Sequence, residues 1–168
     1  ALIGNSNQVG QIELISASGG NINYVSDAPM AHVENVSTSG TVTITTQPGA
    51  TDERKIGLGT ITGNSVNVSA RNAILDDNGS GVANITANNI TLSTVTGGNP
   101  GGIAISADVV SSGSVSATVP VASGNGGIRI GSLGANAPAT LNLSDATNTG
   151  SGDIFFHHTG DLTTNGGY

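Results

Sequence analysis

An all-β chain wound as one parallel β-helix, a β-solenoid of about 25 residues per coil, is the fold this sequence predicts. Three observations predict it. Short segments in which apolar residues alternate with small polar ones recur along the chain, each bounded by Gly, Ser or Asn. Their apolar positions return at nearly constant phase: Val42, Val66, Ile90, Val115 and Leu141 lie 24, 24, 25 and 26 residues apart, and Ile103, Ile128 and Ile154 lie 25 and 26 apart. The composition is the third. With 26 Gly and 2% aromatic residues, the chain cannot fill a round core, whereas Val, Ile, Leu and Ala suit thin stacked layers.

The repeat has a physical logic. A five-residue strand buries two or three side chains, too few to hold it in place alone. Stacking the same strand from successive coils solves this, with each coil about 4.8 Å from the next and each inward Val or Ile resting on its equivalent. About seven coils make a rod on the order of 30 Å long at that spacing. An antiparallel sandwich would need no constant phase, and two-residue Asn-Gly or Asp-Gly hairpin turns are scarce here.

Taken in order, residues 1–60 carry the pattern less cleanly than residues 61–168, within a single domain of 168 residues. Gln11–Ile15 and Asn21–Val25 read as strands around Ser18-Gly19-Gly20. Asp27–His32 breaks the alternation and reads as an irregular loop. Gly40–Thr46 is a strand rich in Thr and β-branched residues, turned by Pro48-Gly49. Thr51–Lys55 holds the one charge cluster and reads as a solvated turn. Then follow Ser65–Ser69, Ala73–Leu75, a turn at Asp76–Gly79, Val82–Ile85, Asn89–Ser93 and the break at Gly97–Pro100. Gly102–Ser106, Ser114–Ala117, Gly127–Gly131, Thr140–Ser144 and Asp153–Phe156 complete the series. Gly and Asn suit the corners, and Asn67 and Asn142 are placed to ladder with Asn of the next coil.

Charge narrows the function classes. The net charge is −7 and the permanent cations are Arg54, Lys55, Arg71 and Arg129, which disfavours nucleic acid and anionic lipid as partners. No run of 18 apolar residues exists, so no transmembrane helix is predicted. There is no cysteine, hence no disulfide and no thiolate metal site. The chain begins at Ala1 without an initiator Met, which reads as a mature or excised piece of something longer. A dilute acidic surface suits a secreted, soluble protein.

Each chemical motif has a plainer reading. Enzymes on β-helices cluster carboxylates on one lateral face, and Asp145 and Asp153 are 8 apart rather than one coil. Asp52 and Asp77 are 25 apart and could stack, which is repulsive without a cation. Asp76-Asp77-Asn78-Gly79-Ser80-Gly81 lacks the full pattern of an EF-hand or a calcium β-roll and reads as an Asx turn. His157 and His158 are neighbours on a strand, point to opposite faces and cannot both bind one metal. The Thr41, Thr43 and Thr45 face continues into Ser65, Asn67, Ser69 and then Asn89, Thr91, Ser93, a polar but irregular ladder. Six Asn-x-Ser/Thr matches begin at Asn35, Asn67, Asn78, Asn84, Asn89 and Asn142, as expected by chance in so Asn- and Thr-rich a chain. The aromatics are Tyr24, Phe155, Phe156 and Tyr168, with Phe156 internal, too few for lectin platforms. No catalytic, cofactor-binding or metal residue is assigned.

Gly102-Ile103-Ala104-Ile105-Ser106-Ala107-Asp108-Val109, Ser65-Val66-Asn67-Val68-Ser69-Ala70 and Gly160-Asp161-Leu162-Thr163-Thr164 resemble the repeats of filamentous-haemagglutinin-like exoproteins of the two-partner-secretion type. The likeness covers residues 60–166 well and the first sixty loosely. It implies a right-handed coil and a rod-like segment of a secreted bacterial surface adhesin. The resulting expectation is a non-catalytic extracellular shaft, partnered by neighbouring solenoid segments, identical subunits or host and cell-surface receptors, with no cofactor. Exposed loops at Asp27–His32 and Asp52–Lys55 would offer weak contacts. The alternative is a carbohydrate-active β-helix, a polysaccharide lyase, hydrolase or phage-tailspike-like chain.

Overall fold

The computed structural model describes residues 11–15, 19–46, 54–79, 82–94, 102–105, 109–119, 127–132, 140–149 and 152–164. Among them are fifteen strands and no helix. In chain order they are β1 (Gln11–Ile15), β2 (Ile22–Ser26), β3 (Met30–Ser37), β4 (Thr41–Thr46), β5 (Lys55–Leu58), β6 (Ile61–Thr62), β7 (Ser65–Ala70) and β8 (Ala73–Asp76). They continue with β9 (Ile85–Thr94), β10 (Gly102–Ile105), β11 (Val109–Val119), β12 (Ile128–Ser132), β13 (Thr140–Asn148), β14 (Ile154–His158) and β15 (Asp161–Thr164). The expected turns at Pro48-Gly49 and Gly97–Pro100, residues 51–53 of the charge cluster and the end of the Asp76–Gly81 motif lie outside the described residues.

Every pairing among these strands is parallel, and each joins a strand to its equivalent about one coil away. The chain is therefore a parallel β-helix, and its strands form three faces. The first face stacks β2, β4, β7, the second half of β9, the second half of β11, β13 and β15. The second stacks β1, β3, β5, β8, β10, β12 and β14. A narrow third face stacks the end of β3, β6 and the first halves of β9 and β11.

Aliphatic columns run down the inside of each face. On the first, Ile22, Val42, Val66, Ile90, Val115 and Leu143 lie in register and are 9% exposed or less. On the second the column is Ala31, Ile56, Ile74, Ile103, Ile128 and Ile154. The two series expected from spacing thus extend backwards to Ile22 and Ala31. One member differs: Val115 stands over Leu143, 28 residues on, and not over Leu141, which pairs with Leu162. The third column, Val36, Ile61 and Ile85, was hidden in the sequence by the two-residue length of β6.

Corners are visible as breaks in alternation. In β9 the burial pattern places two exposed residues together at Asn88 and Asn89, where the strand passes from one face to the next. In β3 the same break falls at Glu34 and Asn35, and Asn35 adopts φ +52°, a left-handed conformation that Asn tolerates better than most residues. Asparagine laddering occurs at these corners rather than at the expected positions: Asn88 Nδ2 donates to Asn64 Oδ1 at 2.8 Å. Asn67 stacks between Thr43 and Thr91, and Asn142 between Ser114 and Thr163.

Two expectations are corrected. Met30–His32 is not loop but the start of β3, with Ala31 and Val33 buried, since its alternation is intact once Met30 is read as outward. The Thr51–Lys55 cluster is not wholly solvated. Lys55 opens β5, and Arg54 turns inward to an ion pair with Asp27, leaving its side chain 12% exposed. The two residues are 27 apart, one coil, so the pair ties adjacent coils at a corner. Asp27→Ala strips Arg54 of a largely buried partner and is expected to cost about 1–2 kcal/mol. Thermal melting of the variant against the parent measures it.

Candidate functional site

Among the described residues, the second face carries a His–Asp pair and a cation–aromatic pair. Its register runs His32, Gly57, Leu75, Ala104, Arg129 and Phe155, one residue per coil. Functional groups gather at the two ends of this row.

At the upper end, the His32 Nδ1 atom meets the Asp77 carboxylate, with the side chains 39% and 27% exposed. Gly57 makes the contact possible, because a Cβ there would lie 2.9 Å from both Asp77 Oδ2 and Met30 Cε. The loop bearing Asp77 is stitched to the preceding coil. The Asp77 amide donates to the Leu58 carbonyl at 3.0 Å, and Asn84 Nδ2 donates to Leu58 O at 2.6 Å and to Asp76 Oδ1 at 3.0 Å. The Asn78 amide donates to Asp76 Oδ1 at 3.0 Å, the Asx turn the sequence predicts. A carboxylate-held imidazole can accept a proton. The adjacent Asp76 accepts hydrogen bonds from Asn78 and Asn84, which fix it in the turn.

At the lower end, the Arg129 guanidinium lies over the Phe155 ring, 5.3 Å from its centroid, and the His157 ring meets Phe155 edge-on at 6.2 Å. Arg129, Asp153 and Phe155, with Gly127 and the inward Ile103, Ile128 and Ile154, line a cavity of about 600 Å³. Such a recess offers an aromatic surface beside a cation and a carboxylate. The contact was readable in principle: Arg129 and Phe155 are 26 apart, and each follows an inward Ile by one residue. His157 is exposed and His158 partly buried, so alternation separates them as expected, and Phe156 packs against the core.

Other carboxylates among the described residues lie apart from these two clusters. Asp145 is exposed and accepts from Thr147 Oγ1 at 2.9 Å, Asp161 stands in register with Thr140 on another face, and Asp27 is paired with Arg54. Among the described residues no group of three or more His, Asp or Glu is placed to hold a metal ion. Of the Asn-x-Ser/Thr matches, Asn84 is fully buried, whereas Asn35 and Asn89 are exposed. Compared with known proteins, the chain matches no family model, no curated protein and no solved structure.

Proposed function

We propose that this chain is a non-catalytic shaft: a rigid β-solenoid segment of an extracellular bacterial surface adhesin or filament, of the filamentous-haemagglutinin type. The observation that supports the reading most is the continuity of the aliphatic columns. Six inward residues on each of two faces stand in register from coil to coil, so bending the rod means parting both the stacked side chains and the ladders between them. The outer surface of the first face accords with a load-bearing, weakly interacting role. Thr41, Thr43, Thr45, Ser65, Asn67, Ser69, Asn89, Thr91, Ser93, Ser114, Ser116 and Thr118 form a charge-free ladder over four coils.

A carbohydrate-active β-helix is the second reading, favoured by the His32–Asp77 pair and the Arg129–Asp153–Phe155 recess. Incubating the chain with a panel of bacterial and plant polysaccharides separates the two. The expected result is no new reducing ends and no unsaturated uronates. Turnover that Asp76→Asn or Asp77→Asn abolishes would replace the shaft with an enzyme.

A further inference from the structure

One corner in the middle of the solenoid gathers more oxygen than its hydrogen bonds use. Leu58 ends β5 and Gly59 follows it, Asp76 to Asn78 form the turn after β8, and Asn84 stands just before β9. Asn84 is fully buried. Its Nδ2 atom lies 2.6 Å from the Leu58 carbonyl oxygen, 3.0 Å from Asp76 Oδ1 and 3.4 Å from the Gly59 carbonyl oxygen. Three oxygens, one of them a carboxylate's, thus converge on a point where an amide supplies only two protons. Two more acceptors close by are orphaned. Asn84 Oδ1 and Asn78 Oδ1 are buried with no hydrogen-bond partner among the described residues, although Asn78 Nδ2 donates to the same Gly59 carbonyl at 3.2 Å. Buried oxygens left unmatched in this way cost free energy.

We propose that this corner is a calcium site, with Asp76, Asn78, Asn84 and the Leu58 and Gly59 carbonyls as its oxygen donors. Calcium takes six to eight hard oxygen ligands and accepts amide and carbonyl oxygens as well as carboxylates, with water completing the shell. Such a donor set is of a different kind from a cluster of three His, Asp or Glu, which is absent among the described residues. Turning the Asn84 amide about its Cβ–Cγ bond exchanges Nδ2 for Oδ1. In one position the nitrogen is the internal stand-in for a cation and donates to the surrounding oxygens. In the other Oδ1 joins them, and a cation holds the four oxygens together against their mutual repulsion. Asp76 and Asn78 are half-buried, so the ion enters from solvent without parting the aliphatic columns. The donors come from adjacent coils, so a bound ion clamps one coil to the next, in a shaft and in an enzyme alike.

The test is calorimetric and thermal titration of the whole chain, stripped of metal by a chelator, with calcium chloride and separately with magnesium chloride. The expected result is one calcium ion per chain, a dissociation constant of about 0.1–1 mM, and magnesium bound about tenfold more weakly or less. At about 10 mM calcium the melting temperature should rise by about 3 °C or more. Asp76→Asn keeps the size of the side chain and removes its charge, and should weaken calcium about tenfold or more with circular dichroism unchanged. Asn84→Asp adds a second carboxylate at the same size. It should melt below the parent without calcium and recover with it, a readout that does not depend on Asp76. Asp145→Asn, exposed on another face, should bind calcium as the parent does. No binding at about 10 mM calcium, equal affinity for magnesium, or affinity indifferent to Asp76→Asn overturns the proposal. Those outcomes leave the shaft reading in place, while polysaccharide turnover would remove the shaft reading without touching the calcium titration.

Discussion

Ile128→Asp is expected to prevent the solenoid from forming a stable rod. Ile128 is 1% exposed and sits in register between Ile103 and Ile154, with Ile130 beside it on the same strand. A carboxylate there is enclosed by aliphatic side chains, and no described cation stands inside the columns to pair with it. Burial of an unpaired charge costs at least several kcal/mol, on the scale of a domain's entire stability. Circular dichroism should show loss of the β signal or a collapse of the melting temperature. A variant that melts like the parent would mean that position 128 does not face an interior, and the column assignment would fall with it.

Gly113→Val ranks second in expected effect and acts through backbone rather than charge. A Cβ at position 113 would lie 1.9 Å from the Asn88 carbonyl oxygen and 2.9 Å from its carbon. Neither atom is at the end of a flexible side chain. Gly113 sits where β11 shifts register against β9, between Ser111 and Ser114, and its Cα faces the Asn88 carbonyl of the neighbouring coil. A side chain there must push β11 off β9, and a loss of about 3 kcal/mol or more is expected. Gly113→Ala should show a smaller part of the same loss, because its single methyl meets the same oxygen. Chemical denaturation of both variants gives the comparison, and unchanged midpoints would show that the corner is looser than described.

How much was legible in the sequence follows from which physical rules act locally. Alternation revealed the strands, and constant phase revealed which strands stack, since Val42, Val66, Ile90 and Val115 do lie over one another. The third face was hidden because β6 spans only Ile61–Thr62, too short to alternate, and because β9 turns its corner at Asn88 and Asn89 without a glycine between its halves. Leu141 was misassigned because Leu141 and Leu143 both face the same side of an alternating strand, and spacing alone does not say which of the two meets Val115. The polar sites were harder still. Asp27–Arg54, His32–Asp77 and Arg129–Phe155 span 27, 45 and 26 residues, and spacing alone does not say which outward residues at a corner will turn toward each other. His32–Asp77 further depends on the empty space at Gly57 and on a loop pinned by Asn84.

The second face holds its columns although the distance along the chain from one coil to the next changes: Ile56 to Ile74 takes 18 residues and Ile74 to Ile103 takes 29, with the register kept at both steps. The stack thus senses only which residues meet, not how much chain was spent between meetings. The register holds as long as the next strand re-enters in phase. Such a rod can gain or lose side ornaments at a chosen height without relaying its foundations, so novelty in this chain would accumulate at its edges while the stem stays the same.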